Sequence, residues 1–99
     1  MIIVRDIFQL EFGKAKQAIE LLQQGREALQ RAGYPVDRLL ADMTGDFYTL
    51  VMETRVESLS AYEQALGNTR DASDWQATYE RLVPLVMSGR REVFREVSE

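Results

Sequence analysis

The sequence predicts an α+β fold of the ferredoxin-like kind, β-α-β-β-α-β with an antiparallel sheet, paired into a dimeric α+β barrel. Three observations predict it. The hydrophobic period switches between two and about 3.6 residues in that order along the chain. A Gly45-Asp46 pair separates two strand-like runs at the centre, which is a hairpin signal. The strands also carry aliphatic side chains on both sides, more than a sheet covered on one face requires.

Residues 2–11 are β-branched and aromatic and read as the first strand, with Ile2, Val4, Phe8 and Leu10 on one side and Ile3, Arg5, Ile7 and Gln9 on the other. Gly13 breaks the alternation. From Lys14 to Ala32 the period is helical, and Ala15, Ala18, Ile19, Leu22 and Leu29 share one stripe. Gly33 suits the left-handed position after a helix end, and Pro35 stops continuation. Strands over about 36–43 and 47–55 flank the Gly45-Asp46 turn. A short helix follows at about 58–67, then a loop through Asn68 to Ala72, then a helix from about 73 to 87. Ser58 is a candidate cap, and Ser60 with Glu63 and Ser73 with Gln76 have capping-box form. Pro84 removes one backbone donor, which implies a kink or an early end. Gly89 supplies the stop, and Arg90–Val97 alternates as the last strand. The chain reads as one domain over 1–99 without internal repeats.

A turn centred on Gly45-Asp46 fixes the register. Arg38 lies opposite Glu53, Leu39 opposite Met52, Leu40 opposite Val51, and Met43 opposite Tyr48. One face carries Leu39, Ala41, Met43, Tyr48, Leu50 and Met52 and should lie beneath the helices. The other is polar with an apolar centre, where Leu40 and Val51 join Ile3 and Ile7. A second sheet would cover that centre, and a one-domain chain has its own copy to offer. A C2 homodimer closes such sheets into a barrel with the helices outside and protects the sheet edges. Arg38, Leu40, Val51 and Glu53 are the expected interface. The plainer reading is a wet face with a few exposed aliphatics.

At 11.4 kDa the chain should expose roughly 5,800 Å² when folded, against about 16,500 Å² unfolded. Its 45% apolar and 28% charged residues are ordinary for a globular protein. A net charge of −4 and a pI near 4.9 argue against a nucleic-acid partner. The chain has no Cys and no His, which removes disulfides, thiolate and imidazole metal sites, and nucleophiles built on either residue. The acidic, Arg-containing start does not read as a signal peptide, and no apolar run approaches the ~20 residues that span a bilayer. A cytoplasmic location without a membrane partner is expected.

Three stretches, VRDIFQLEFGKAKQAIELL, TGDFYTLVMETRVESLSAYEQAL and DWQATYERLVPLVMSGRREVF, cover most of the chain. In order and spacing they resemble the bacterial NIPSNAP-like proteins of the dimeric α+β-barrel superfamily. The resemblance is carried by the strand–Gly13–helix entry, the Thr44-Gly45-Asp46 hairpin, and Trp75-x-x-x-Tyr79 leading to Gly89-Arg90-Arg91. The family often has Arg-x-Tyr shortly before the strand-ending glycine. Here those positions are Asp6 and Phe8, so no role of that Arg or Tyr carries over. The resemblance implies a homodimeric barrel and names no reaction.

Asp6 is the best catalytic candidate: it shares the helix-facing side with Val4 and Phe8, where a buried carboxylate could serve as general acid or base. The plainer reading is that it sits near the strand's exposed edge or accepts a hydrogen bond from a Tyr or Arg. Trp75 and Tyr79, four apart on one helical face with Leu82, Val83 and Val86, could line a ligand cleft or simply fill the core. Tyr48 could add a hydroxyl to that cleft. Arg38 and Glu53 suit a cross-strand ion pair, or inside a barrel could bind a polar ligand instead. Arg90, Arg91 and Arg95 could attract an anion, but with Glu92 and Glu96 interleaved they better suit a solvated edge or intersubunit pairs. No metal-spaced carboxylates or phosphate loop occur, so no cofactor or metal is expected. The main reading is a homodimeric NIPSNAP-like barrel protein of undefined role, non-catalytic or binding a small apolar or aromatic ligand between sheet and helices. The alternative is a small cofactor-independent monooxygenase or isomerase of an aromatic or unsaturated molecule, built on Asp6, Tyr48, Trp75 and Tyr79.

Overall fold

A computed structural model describes residues 1–97. The elements are β1 (Ile2–Leu10), α1 (Ala15–Arg31), β2 (Val36–Ala41), β3 (Thr49–Val56), α2 (Leu59–Asp71), α3 (Ser73–Leu82), a 3₁₀ turn (Val83–Leu85) and β4 (Val86–Arg95). The strands form one antiparallel sheet in the order β2-β3-β1-β4, with β1 and β3 central. This is the expected ferredoxin-like arrangement.

The hairpin register is as the sequence predicts: Arg38 opposite Glu53, Leu39 opposite Met52 and Leu40 opposite Val51. The strands are shorter than expected, however. They part after Ala41 and rejoin at Thr49, where the Asp42 carboxylate accepts from the Thr49 amide at 3.0 Å. The intervening loop holds Gly45 at φ +98° and Tyr48 at φ +59°. Met43 is therefore 95% exposed rather than helix-facing, and Tyr48 stands outside the strand.

The second half departs further. The predicted loop at Asn68–Ala72 is helical up to Asp71, because its polar residues have tertiary partners. Asn68 Nδ2 donates to the Ala32 carbonyl at 3.0 Å, closing the end of α1, and Gln76 Nε2 donates to the Thr69 carbonyl at 2.9 Å. Only Ala72, with extended backbone, breaks the run. Ser58, and neither capping box, caps α2 by accepting from the Ala61 amide at 3.1 Å. The helix expected to reach 87 ends at Leu82. Pro84 cannot donate into another α-turn, so the chain tightens into the 3₁₀ turn and β4 begins at Val86 rather than Arg90.

The helices cover one face of the sheet. Val4, Leu10, Leu50 and Met52 from the strands meet Ala18, Leu22 and Leu29 of α1 and Trp75 and Leu82 of α3. The other face is bare. The molecule is a slab, 37 × 35 × 18 Å, and no described element crosses that face. Across it runs a row of alternating charge, Arg38, Glu53, Arg5 and Glu92, beside an aliphatic row of Leu40, Val51 and Ile7.

Candidate functional site

The site begins with two strand registers and one helix end. Asp6 on β1 lies beside Arg91 on β4, and both point to the helical side. α1 closes with a Schellman motif. The Gly33 amide donates to the Gln30 carbonyl at 3.0 Å and the Tyr34 amide to the Leu29 carbonyl at 2.9 Å, with Gly33 at φ +86°. The reversal turns the Tyr34 ring into the core, and its hydroxyl donates to Asp6 Oδ2 at 2.6 Å. Arg91 Nε donates to Asp6 Oδ1, and Arg91 Nη1 donates to the Tyr62 hydroxyl at 3.2 Å. The guanidinium carbon lies 6.0 Å from the centre of each of the Tyr34 and Tyr62 rings, which hold it by cation–π attraction.

These contacts set the protonation states. Burial, reinforced by the charge of Asp6, pushes the Tyr34 hydroxyl far above the ordinary phenol range, so it stays a neutral donor. Burial opposes the charge on Arg91, but its bond to Asp6 and that carboxylate's charge outweigh it and hold Arg91 protonated. Asp6 is 4% exposed. Of the readings open from sequence, the structure realises the one in which Asp6 accepts from a Tyr and an Arg.

Above this cluster a cleft of about 430 Å³ opens between sheet and helices. Asp6, Phe8, Met52 and Arg91 form its sheet side, Leu29 and Tyr34 one end, and Leu66, Arg70, Trp75 and Tyr79 its helical wall. Trp75 is buried and Tyr79 half-exposed, their ring centres 6.1 Å apart. The structure thus brings Asp6, Trp75 and Tyr79 to one cleft. It leaves Tyr48 out: that ring packs against Phe12, 4.9 Å between centres, at the far end of β1. Tyr34, Arg70 and Arg91 are polar members that sequence reading did not place there. Gly33 at a helix end was the available signal for Tyr34, since the residue after a Schellman glycine commonly packs back on the helix. Arg91 is a correction, because it pairs with Asp6 rather than lying at a solvated edge.

Arg38 and Glu53 form the predicted cross-strand pair at 2.7 Å on the bare face, and Arg5 adds a second bond to Glu53 at 2.7 Å. The bond from Arg38, then that from Arg5, holds the Glu53 carboxyl below its usual range despite burial. Leu40 and Val51 occupy the same face. A wider hollow, about 690 Å³, lies where Phe12 and Phe47 meet the rim of this face. It lacks a buried charged cluster, so the Asp6 cleft is the better-built site. No group of three or more metal-ligating side chains occurs among the described residues, and no described helix is long and apolar enough to cross a membrane.

No protein-family model matches the chain, and no curated protein matches it. Solved structures do. The chain is similar to an uncharacterized NIPSNAP domain protein from Burkholderia xenovorans at 14% identity and TM-score 0.91, over 99% of this chain and 96% of that one. It is similar to a NIPSNAP family protein from Agrobacterium tumefaciens at 18% identity and TM-score 0.89, over 97% and 85%. SnoaB, a cofactor-independent oxygenase from Streptomyces nogalater, aligns less closely, at 14% identity and TM-score 0.74 over 99% and 94%. By fold, the chain is NIPSNAP-like.

Proposed function

We propose that the chain is a cytoplasmic homodimeric α+β-barrel protein that holds a small apolar or aromatic molecule in the cleft between its sheet and its helices. The cleft carries this reading: it is walled by Phe8, Trp75 and Tyr79, and a buried carboxylate hydrogen-bonded at both oxygens fixes its floor. Its volume falls in the range usual for ligand pockets. Pairing is supported by the bare face. The chain exposes 6578 Å², about 800 Å² above the roughly 5,800 Å² expected of a monomer this size, and a standard interface buries about 800 Å² per partner.

The enzyme alternative requires Asp6 to accept a proton from substrate. Both Asp6 oxygens already accept bonds, one from a buried phenol and one from a guanidinium, which favours an anchoring role. The fold shared with SnoaB does not by itself bring an activity. Native mass spectrometry of freshly purified protein tests the proposal. The expected species is twice 11.4 kDa with a reproducible small-molecule adduct. A monomer at micromolar concentration overturns the pairing. A dimer that never carries an adduct and binds no aromatic probe overturns the binding role.

A further inference from the structure

The polar groups of the cleft are unbalanced in sign. Asp6 is its one acidic wall residue, and Arg91 already matches that charge. Of the five N–H donors of Arg91, one serves Asp6 and one Tyr62, leaving three without a partner among the described residues on a side chain 43% exposed. Arg70, in the last turn of α2, also lines the cleft. It is exposed and makes no ion pair or side-chain hydrogen bond among the described residues. The Tyr34 hydroxyl is committed to Asp6, and the Gln76 amide nitrogen to the Thr69 carbonyl. Two guanidiniums against one carboxylate leave one positive charge and a set of free donors.

We infer that the cleft selects an aromatic monocarboxylate, its carboxylate held between Arg70 and Arg91 and its ring against Phe8 and Trp75. This rests on the binding role proposed above and names its ligand class. A guanidinium fork matches the planar carboxylate in shape, and one negative charge balances the cleft where a doubly charged phosphate would not. The apolar part has room to extend. A further hollow of about 160 Å³ shares Phe8 and Tyr79 with the cleft and continues to Leu82 and Val86.

The test compares 2-naphthoate with 2-naphthamide, neutral and of nearly the same shape, by NMR titration of the indole N–H of Trp75, the single tryptophan. The full chain is used, with Arg70→Gln beside wild type. Arg91→Lys, which keeps a cation beside Asp6, serves as a second variant. Naphthoate should bind at least ten-fold more tightly than naphthamide, with the preference falling to about three-fold or less in Arg70→Gln. Equal affinity of the two probes in wild type overturns the carboxylate assignment while leaving the binding role intact. A preference unchanged in both variants overturns the placement between the two arginines. If neither probe shifts the Trp75 resonance, the binding role fails, and this inference with it.

Discussion

Adding one methyl group at Gly25 tests how tightly the cleft's helical wall is set. Gly25 is buried in the middle of α1, and a Cβ built there would lie 2.9 Å from Trp75 Cζ3 and 3.1 Å from both Trp75 Cε3 and Thr78 Cγ2. Ordinary contact begins near 3.4 Å, so α3 or the indole must retreat by about 0.5 Å. Alanine is worth about 0.5–1 kcal/mol over glycine in a helix interior. Overpacking against a buried ring costs about 1–3 kcal/mol. The cost outweighs the gain, so Gly25→Ala should destabilise by roughly 0.5–2 kcal/mol, with each kcal/mol lowering Tm by about 4–8 °C in a domain this size. Gly67 in α2 is the control. Its added Cβ meets nothing within 4 Å, so Gly67→Ala should stabilise by about 0.5–1 kcal/mol. Urea and thermal unfolding, followed by circular dichroism at one protomer concentration, measure both. Equal stabilisation by the two substitutions would refute the close packing of Trp75 on α1.

Four other substitutions probe the two faces of the sheet. Asp6→Asn leaves the half-buried Arg91 without its counter-charge and should cost about 1–3 kcal/mol in urea unfolding, toward the low end because that guanidinium is partly hydrated; a variant within 0.5 kcal/mol of wild type would show that the carboxylate is not an anchor. Val51→Asp puts a charge at the centre of the proposed interface and should give monomers by analytical ultracentrifugation, whereas an unchanged dimer places the interface elsewhere. The folded pKa of Glu53 lies below its ordinary 4.5, so its stabilisation is present above that pH and is lost as pH falls through the lower, folded value. The urea-midpoint gap between wild type and Glu53→Gln should therefore be constant from pH 7 to about 5 and close below 4.5; a gap independent of pH would contradict the pairing with Arg38 and Arg5. Thr54 is fully buried with its hydroxyl unpaired, so Thr54→Val should stabilise by roughly 1 kcal/mol, and a loss of stability would reveal a partner for that oxygen.

Where alternation was strict, the sequence was a sufficient guide. The order of elements, the hairpin register and the burial of Asp6 all follow from period-two patterning around one turn, because a one-residue slip would exchange the faces of the sheet. Legibility failed where tertiary contact overrode local preference. Asn68 and Thr69 look like a loop until Asn68 is seen closing α1 and Thr69 accepting from Gln76. Met43 looks like a core residue if the strands continue, yet Asp42 and a left-handed Tyr48 end the ladder first. The same limit hid half of the site. Arg91 lies in the predicted last strand, but no turn joins β4 to β1 to set their register, and only the fold shows Arg91 opposite Asp6.

The two faces of the sheet share one electrostatic device, and it bears on what the protein does. Under the helices, Asp6 takes Tyr34 on one oxygen and Arg91 on the other. On the bare face, Glu53 takes Arg38 on one oxygen and Arg5 on the other. In both cases a carboxylate on a central strand is desolvated, occupied at each oxygen, and used to fix a neighbouring edge strand: Arg91 belongs to β4 and Arg38 to β2. A carboxylate held in this way at both oxygens keeps only its second lone pairs for a substrate. The groups with donors to spare are Arg91 and Arg70, and cationic N–H groups can hold and orient an anion but cannot take a proton from it. Asp6, the one acid of the cleft, thus ties β4 to the centre of the sheet, while Arg91 and Arg70 line the space above it.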